Sequence, residues 1–88
     1  MKIKDSFILR EIVDTWVVIP IGERVVEFNS IISLSESGAS LWKMLQEGAD
    51  ETDLVKSLIA EYDVDEVTAS KDVKEFIREI SNKGLLEK

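Results

Sequence analysis

The stretch SLSESGASLW, residues 33–42, decides the fold because a strand changes into a helix within it. A short apolar run, IISL at 31–34, ends inside this stretch. The apolar positions that follow have the spacing of one helix face: Gly38, Leu41, Trp42 and Leu45. Ser35 is the expected N-cap, and Glu36 lies in the first turn, where the helix dipole favours negative charge. The sequence therefore predicts a helix that starts directly out of a strand.

Two further helices are expected downstream, so that the three run at about 36–47, 51–62 and 66–82. Asp50 and Asp53 have the spacing of a capping box, and Asp65 opens the third helix. Gly48 and Gly84 are placed to end the first and third helices. The predicted buried faces are Leu54, Val55, Leu58, Ile59 and Tyr62 in the second helix and Ala69, Val73, Phe76, Ile77 and Ile80 in the third, with Leu85 and Leu86 returning to the core.

Strands are expected upstream of the quoted stretch. FILREIV (7–13) and TWVVIP (15–20) are rich in β-branched and aromatic residues, and Asp14-Thr15 suits a tight turn between them. RVVEF (24–28) and IISL (31–34) are candidates for a third and a fourth strand. We therefore predict a single α+β domain over 1–88, in which an antiparallel sheet of three or four short strands precedes three helices in a winged helix-turn-helix layout.

Several kinds of site are excluded by composition, because the chain contains no cysteine and no histidine. Disulfides, thiolate zinc sites, iron–sulfur clusters and catalysis by Ser-His-Asp or Cys-His groups all need these residues. A calcium loop beginning at Asp63 fails, since Val67 stands where an oxygen ligand is needed and Thr68 where a glycine is needed. We expect no metal, no cofactor and no enzymatic activity.

The overall length and charge favour a cytoplasmic protein with a protein partner. No stretch approaches the roughly 20 apolar residues needed to cross a bilayer, and Arg10 and Glu11 interrupt the N-terminal apolar run, which excludes a signal peptide. The net charge is −7. An acidic domain is poorly suited to neutralising phosphates, so nucleic acid is an unfavourable partner.

The exposed side of the third helix bears on the alternative function, a winged-helix regulator that binds DNA. Lys71, Lys74 and Arg78 form one stripe of this helix. Three carboxylates form a parallel stripe beside it: Asp72, Glu75 and Glu79. These carboxylates would lie next to DNA phosphates, so the helix is better explained as a solvated surface with intrahelical ion pairs.

Alternatively, this helix could form one wall of a groove that binds a peptide. Small and partly apolar residues flank its buried stripe at Ser70, Lys74, Ile77 and Ser81. If a sheet edge runs alongside, the edge could accept an extended peptide as an added strand, with backbone hydrogen bonds supplying affinity. The same edge could instead join two copies of the chain as a homodimer.

An ordered series of motifs from Leu34 to Leu86 resembles the PqqD family, also called precursor-peptide recognition elements of ribosomally made natural products. The matching positions are Leu34, Glu36, Gly38, Leu41-Trp42, Asp53-Leu54-Val55, Tyr62-Asp63-Val64-Asp65, Thr68-Ala69, Asp72-Val73, Phe76-Ile77 and Gly84-Leu85-Leu86. The chain departs from the family pattern at Ser35, where Asn is common, at Asp50, where Thr is usual, and in a longer segment after Pro20.

The resemblance implies a non-catalytic adaptor. Family members hold the leader of a precursor peptide as an extra strand between the third strand and the third helix, and deliver it to a modifying enzyme, often a radical S-adenosylmethionine protein. The implied groove residues are Ile31, Ile32, Ser33 and Leu34 on the strand and Ser70, Lys71, Lys74, Ile77 and Arg78 on the helix, with the basic side chains pairing with acidic leader residues. The position next to the first helix favours 31–34 over 24–28 as the receiving strand. The pathway stays open among a quinone cofactor (pyrroloquinoline quinone), a thioether-bridged peptide and a lasso peptide.

Overall fold

The computed structural model describes residues 1–5, 7–21 and 32–87, and in them an antiparallel sheet precedes three helices. The strands are β1 (Phe7–Ile12), β2 (Thr15–Pro20) and β3 (Ile32–Leu34), in the spatial order β1-β2-β3. The helices are α1 (Glu36–Glu47), α2 (Glu51–Glu61) and α3 (Glu66–Asn82). The predicted α+β fold is confirmed. The candidate strand at 24–28 lies outside the described residues.

The turn between β1 and β2 differs from the prediction by one residue. Val13 and Asp14 form it, with φ of 42° and 64°, and Ile12 pairs directly with Thr15. Two central residues with positive φ define a type I′ turn, the turn whose twist matches a two-residue hairpin. Val13 is therefore not part of the first strand, and Thr15 is the first residue of the second strand instead of a turn residue.

The helix termini follow the predicted caps. The Gly38 backbone N–H donates to Ser35 Oγ at 3.1 Å, and Asp50 and Asp53 form a reciprocal capping box. The N–H of Thr68 donates to Asp65 Oδ1 at 2.7 Å. At the end of α3, Gly84 has a φ of 76° and Leu85 N–H donates to the Ile80 carbonyl, which is a Schellman closure.

The core joins one face of the sheet to all three helices. Its buried members include Phe7, Val18, Leu41, Trp42, Leu45, Leu54, Leu58, Ala69, Val73, Ile80 and Leu85. Trp42 is fully buried and meets the Phe7 ring edge to face, with centroids 6.5 Å apart. Its Nε1 has no hydrogen-bond acceptor among the described residues, so this indole serves packing.

One predicted core residue is exposed. Ile59 is 41% exposed, because α2 buries only the narrow stripe formed by Leu54 and Leu58. Tyr62 is the C-cap of α2, with extended backbone, and ends the helix one residue earlier than predicted.

The N-terminal residues connect the end of α1 to the segment that follows α3. Ile3 N–H donates to the Leu45 carbonyl at 3.0 Å, and Ile3 also forms an isolated antiparallel bridge with Leu86. These contacts hold the C-terminal Leu85-Leu86 pair against α1. No described helix is long and apolar enough to cross a membrane.

Candidate functional site

The hydrogen-bonding pattern of β2 determines which backbone groups of β3 face its open edge. Residues of an antiparallel strand alternate between partners on its two sides. Across the two-residue turn, Ile12 and Thr15 are a hydrogen-bonded pair, so the backbone of Thr15 faces β1. By alternation, the backbone groups of Trp16 and Val18 face the other way, towards β3.

Ser33 is consequently the outward-facing residue of β3. Trp16 is opposite Leu34 and Val18 is opposite Ile32. The backbone N–H and C=O groups of Leu34 and Ile32 therefore form hydrogen bonds with β2. The register then directs the N–H and C=O of Ser33 away from the sheet. In the part of the chain that the structure describes, β3 has a strand partner on one side only. Its other edge is available for strand addition.

The end of β3 and the middle of α3 meet at Gly38. A Cβ placed on Gly38 would lie 3.6 Å from Leu34 Cβ and 3.6 Å from Phe76 Cε1. Both distances are ordinary van der Waals contacts, and the neighbour that a Cβ would crowd is Ser35 Oγ, at 3.3 Å. The end of β3, the start of α1 and Phe76 of α3 are thus packed together at this position.

A cavity of about 220 Å³ opens beside this junction, and we call it the β3–α3 cavity. It is lined by Ser35, Ser37, Gly38, Leu41, Leu58, Asp72, Glu75, Phe76 and Glu79. The apolar lining includes Leu41 and Leu58, which are buried, and Phe76, which is half-buried. The rim consists of the three exposed carboxylates of α3. More of the lining is therefore polar than apolar, and its accessible apolar surface comes mainly from Phe76, next to a negatively charged border.

The predicted strand-side residues lie along this edge. Ile32 and Leu34 are half-buried and pack against the core, whereas the Ser33 side chain is exposed on the opposite face of the sheet. Ile31 lies outside the described residues. Of the predicted strand residues, Leu34 is thus the one whose side chain adjoins the junction at Gly38.

The predicted helix-side residues lie elsewhere on α3. Ser70, Lys71, Lys74 and Arg78 line a shallow pocket of about 770 Å³ together with Glu66, Val67 and Glu75, and we call the part formed by the first four residues the basic face. At 100° per residue this face is opposite the stripe of Ala69, Val73 and Ile80 that α3 buries. Ile77 is half-buried at the border of the core and does not line the basic face. None of these predicted residues lines the β3–α3 cavity.

The helix residues that line the β3–α3 cavity therefore lie outside the predicted site residues. Periodicity alone places Phe76 in the core and the carboxylates on a solvated stripe. The signal that could have found them was Gly38, because a glycine in the first turn of a helix that follows a strand marks a close neighbour.

The charged side chains along α3 form no ion pairs with one another among the described residues. In the described ranges, no lysine or arginine nitrogen lies within 4.0 Å of a carboxylate, so the intrahelical ion pairs expected along α3 are not formed. The one resolved electrostatic effect nearby is at the start of α3, where hydrogen bonds from the backbone and side chain of Thr68 lower the pKa of Asp65. The carboxylates of the described residues form no group suited to a metal ion.

Comparison with known proteins gives the family. The family profile for coenzyme PQQ synthesis protein D matches residues 15–86. The chain belongs to the PqqD family. This PqqD-family chain is similar to the solved structure of TbiB1 in complex with the TbiA(beta) leader peptide, with 32% sequence identity and a TM-score of 0.79. The match covers 99% of this chain and 95% of TbiB1.

A second solved structure shares the fold. Lasso peptide synthetase B1, complexed with its leader peptide, superimposes on this PqqD-family chain with a TM-score of 0.75 at 17% identity. The match covers 96% of this chain and 93% of the other. No curated protein matches the sequence. The predicted family is confirmed, and these comparisons give no support to the alternative of a DNA-binding regulator.

Proposed function

We propose that this chain is a recognition element that binds the leader of a ribosomally made precursor peptide by adding it to β3 as a fourth strand. The observation that supports this most directly is the open edge of β3, with the Ser33 backbone facing outward next to α3. Its PqqD-family relative of known structure, TbiB1, is in complex with a leader peptide. A peptide strand on this edge would obtain backbone hydrogen bonds without any rearrangement of the sheet.

The binding surface follows from this position. On the strand side we propose Ile32, Ser33 and Leu34, continued by Ile31. On the helix side we propose the flank around Phe76, because it adjoins Leu34 through Gly38. The helix-side set implied by the family resemblance is a second hypothesis for the same peptide, in which the peptide contacts Ile77 and the basic face formed by Ser70, Lys71, Lys74 and Arg78.

The proposed role is that of an adaptor without catalysis of its own. An open sheet edge can hold and orient a peptide, which brings the reacting residues of that peptide to another protein. We propose that the other protein is a modifying enzyme, of the radical S-adenosylmethionine type or one that makes lasso peptides. This part is tested by supplying precursor and candidate enzyme with and without the chain and measuring modified peptide by mass spectrometry.

Peptide addition itself is tested by titration. Synthetic N-terminal segments of short open reading frames that neighbour the gene are added to the isotopically labelled chain, and the backbone amide shifts are followed. We expect saturable shifts at 32–34 and around Phe76. Ser33→Pro removes the outward N–H while Ile32 and Leu34 keep their bonds to β2, so this variant should fold and lose binding. Ser33→Ala is the matched control and should bind normally.

Two results would contradict the proposal. Equal binding by Ser33→Pro and the parent chain would exclude strand addition at β3, provided that circular dichroism shows both to be folded. Shifts confined to the basic face would move the site to the second set of residues. The expected homodimer through the same edge is a competitor, and sedimentation with and without peptide would detect it as a dimer that the peptide dissociates.

A further inference from the structure

We infer that the β3–α3 cavity selects a leader segment with an apolar residue and, two positions away, a lysine or arginine. This inference rests on the proposed addition of the leader to β3. It reverses the charge expected from the family resemblance, in which the basic side chains of α3 would pair with acidic leader residues. The reversal follows from which flank of α3 faces the end of β3.

The apolar requirement comes from the interior of the cavity. The half-buried Phe76 ring supplies most of its accessible apolar surface, with the buried Leu41 and Leu58 at its base, and its volume is about 220 Å³. Pockets for drug-sized ligands measure about 300–1,000 Å³, so this one suits a single side chain. A strand added beside β3 and extending past Leu34 would reach the cavity with a side chain on the face that packs against the core.

The basic requirement comes from the rim. Asp72, Glu75 and Glu79 share this flank of α3 with Phe76 and are exposed. Among the described residues no lysine or arginine nitrogen lies within 4.0 Å of them, although Glu75 also borders the basic face, and they form no group suited to a metal ion. A cationic side chain of the ligand is the partner that complements such a border.

The spacing comes from strand geometry. Side chains two positions apart on a strand lie on the same face, about 6.6 Å apart along it. Asp72 and Glu79 are two helical turns apart, about 10.5 Å along α3. With the apolar residue in the cavity, a lysine or arginine two positions before or after it lies within reach of one of these carboxylates.

The inference can be tested before the precursor is known, with a library of random twelve-residue peptides displayed on bacteria. The fluorescently labelled chain is the probe, and bound cells are sorted and sequenced. We expect enrichment of an apolar residue with lysine or arginine two positions away. The double charge reversal Asp72→Lys with Glu79→Lys should abolish or invert the preference for a basic residue, and should weaken binding of individual enriched peptides by about tenfold.

Two control variants separate local charge from other effects. Glu47→Lys with Asp63→Lys makes the same change in net charge at positions that do not line the cavity, and should leave the preference intact. Lys74→Glu with Arg78→Glu reverses the basic face and should also leave it intact. Circular dichroism establishes that each variant is folded.

The outcomes distinguish this inference from the proposed function. Enriched peptides that Ser33→Pro no longer binds, but without a basic preference, would overturn the inference and leave the proposed function standing. An acidic preference that only the Lys74→Glu, Arg78→Glu variant removes would place recognition on the basic face and also overturn it. If no enriched peptide loses binding to the Ser33→Pro variant, the proposed function and this inference are overturned together.

Discussion

Val13 occupies a backbone conformation that its side chain disfavours. Its φ is 42°, it is 89% exposed, and it makes up half of the two-residue turn between β1 and β2. A β-branched residue with positive φ is strained, whereas Asn adopts this region with little cost. Asp14, its partner in the turn, is the residue type that a type I′ turn favours. The hairpin therefore forms despite the residue at its first turn position.

Replacing this residue should stabilise the chain. We expect Val13→Asn to raise the free energy of unfolding by about 1 kcal/mol, the typical cost of the left-handed conformation. Urea unfolding measures the change. The matched control is Val67→Asn, since Val67 is 79% exposed in the helical conformation of α3, where Val and Asn have similar propensities. An equal gain in both variants would show that turn strain is not the cause.

Asp65 links stability to acid pH. The hydrogen bonds from Thr68 lower its pKa in the folded chain, so the ionised side chain stabilises the fold at any pH above the unfolded pKa of about 3.9. That contribution is lost as the pH falls through the lower pKa of the folded state. Asn is also a good N-cap but does not titrate, so Asp65→Asn should lose less stability between about pH 5 and pH 2.

Thermal unfolding at a series of pH values measures this effect. The control is Asp63→Asn, which removes the same charge two residues before the N-cap of α3. It should keep the acid sensitivity of the parent chain. Identical pH profiles for the parent chain and Asp65→Asn would show that the cap does not contribute to the acid response.

The caps were predictable because their chemistry is local. Ser35, Asp50 and Asp65 each accept a backbone N–H three residues ahead, and this spacing is visible in the sequence. The turn at Val13 was not, because the sequence offered a more typical turn pair one residue later. Register and strain at a single residue depend on the pairing of the strands, which the residue types do not determine.

At the scale of elements, Gly38 adjoins the side chain that caps its own helix. Its N–H donates to Ser35 Oγ, and a Cβ at this position would lie 3.3 Å from the same oxygen. Adding a methyl group therefore favours the helix but displaces the side chain that caps it. Ala is more favourable than Gly inside a helix by about 1 kcal/mol, and the displaced cap offsets most of this gain.

A double-mutant cycle tests this conflict. Gly38→Ala should change the free energy of unfolding little in the parent chain and should raise it by about 1 kcal/mol in a Ser35→Ala background, where the opposing oxygen is absent. Urea denaturation of the four chains gives the coupling. Equal effects in the two backgrounds would show that Leu34 or Phe76, the other neighbours of this position, limits the substitution instead.

The two flanks of α3 show where the sequence stops being informative. Helical periodicity identified the buried stripe at Ala69, Val73 and Ile80, and the structure confirms it. Periodicity does not indicate which of the two flanks beside that stripe adjoins the sheet, because it contains no information about the neighbours of a helix. The position of β3 relative to α3 depends on the path of the whole chain, so periodicity alone does not choose between the two flanks as the helix side of the candidate site.

At the scale of the molecule, excess negative charge opposes compactness. The net charge is −7, and in the described part of the chain no ion pair is formed within 4.0 Å. Self-repulsion of this kind weakens as salt screens it. We expect the urea midpoint to rise between about 0.05 M and about 0.5 M sodium chloride.

A variant with less charge provides the control for general salt effects. Glu47→Gln, Asp63→Asn and Glu87→Gln together remove three negative charges from exposed positions. The midpoint of this variant should depend less on salt, because less repulsion remains to be screened. A salt dependence as steep as that of the parent chain would attribute the effect to the salt itself.

The number of backbone groups on the open edge of β3 bears on how long a bound peptide stays. Within the described residues β3 runs from Ile32 to Leu34, and this part of its edge offers one outward N–H and one outward C=O, both from Ser33. Two backbone hydrogen bonds contribute about 1–3 kcal/mol, far below the roughly 12 kcal/mol of a nanomolar complex. Most of the residence time then depends on side-chain contacts. A peptide with so few backbone bonds to the described part of β3 can leave quickly, and an enzyme waiting for it needs no separate step to release it.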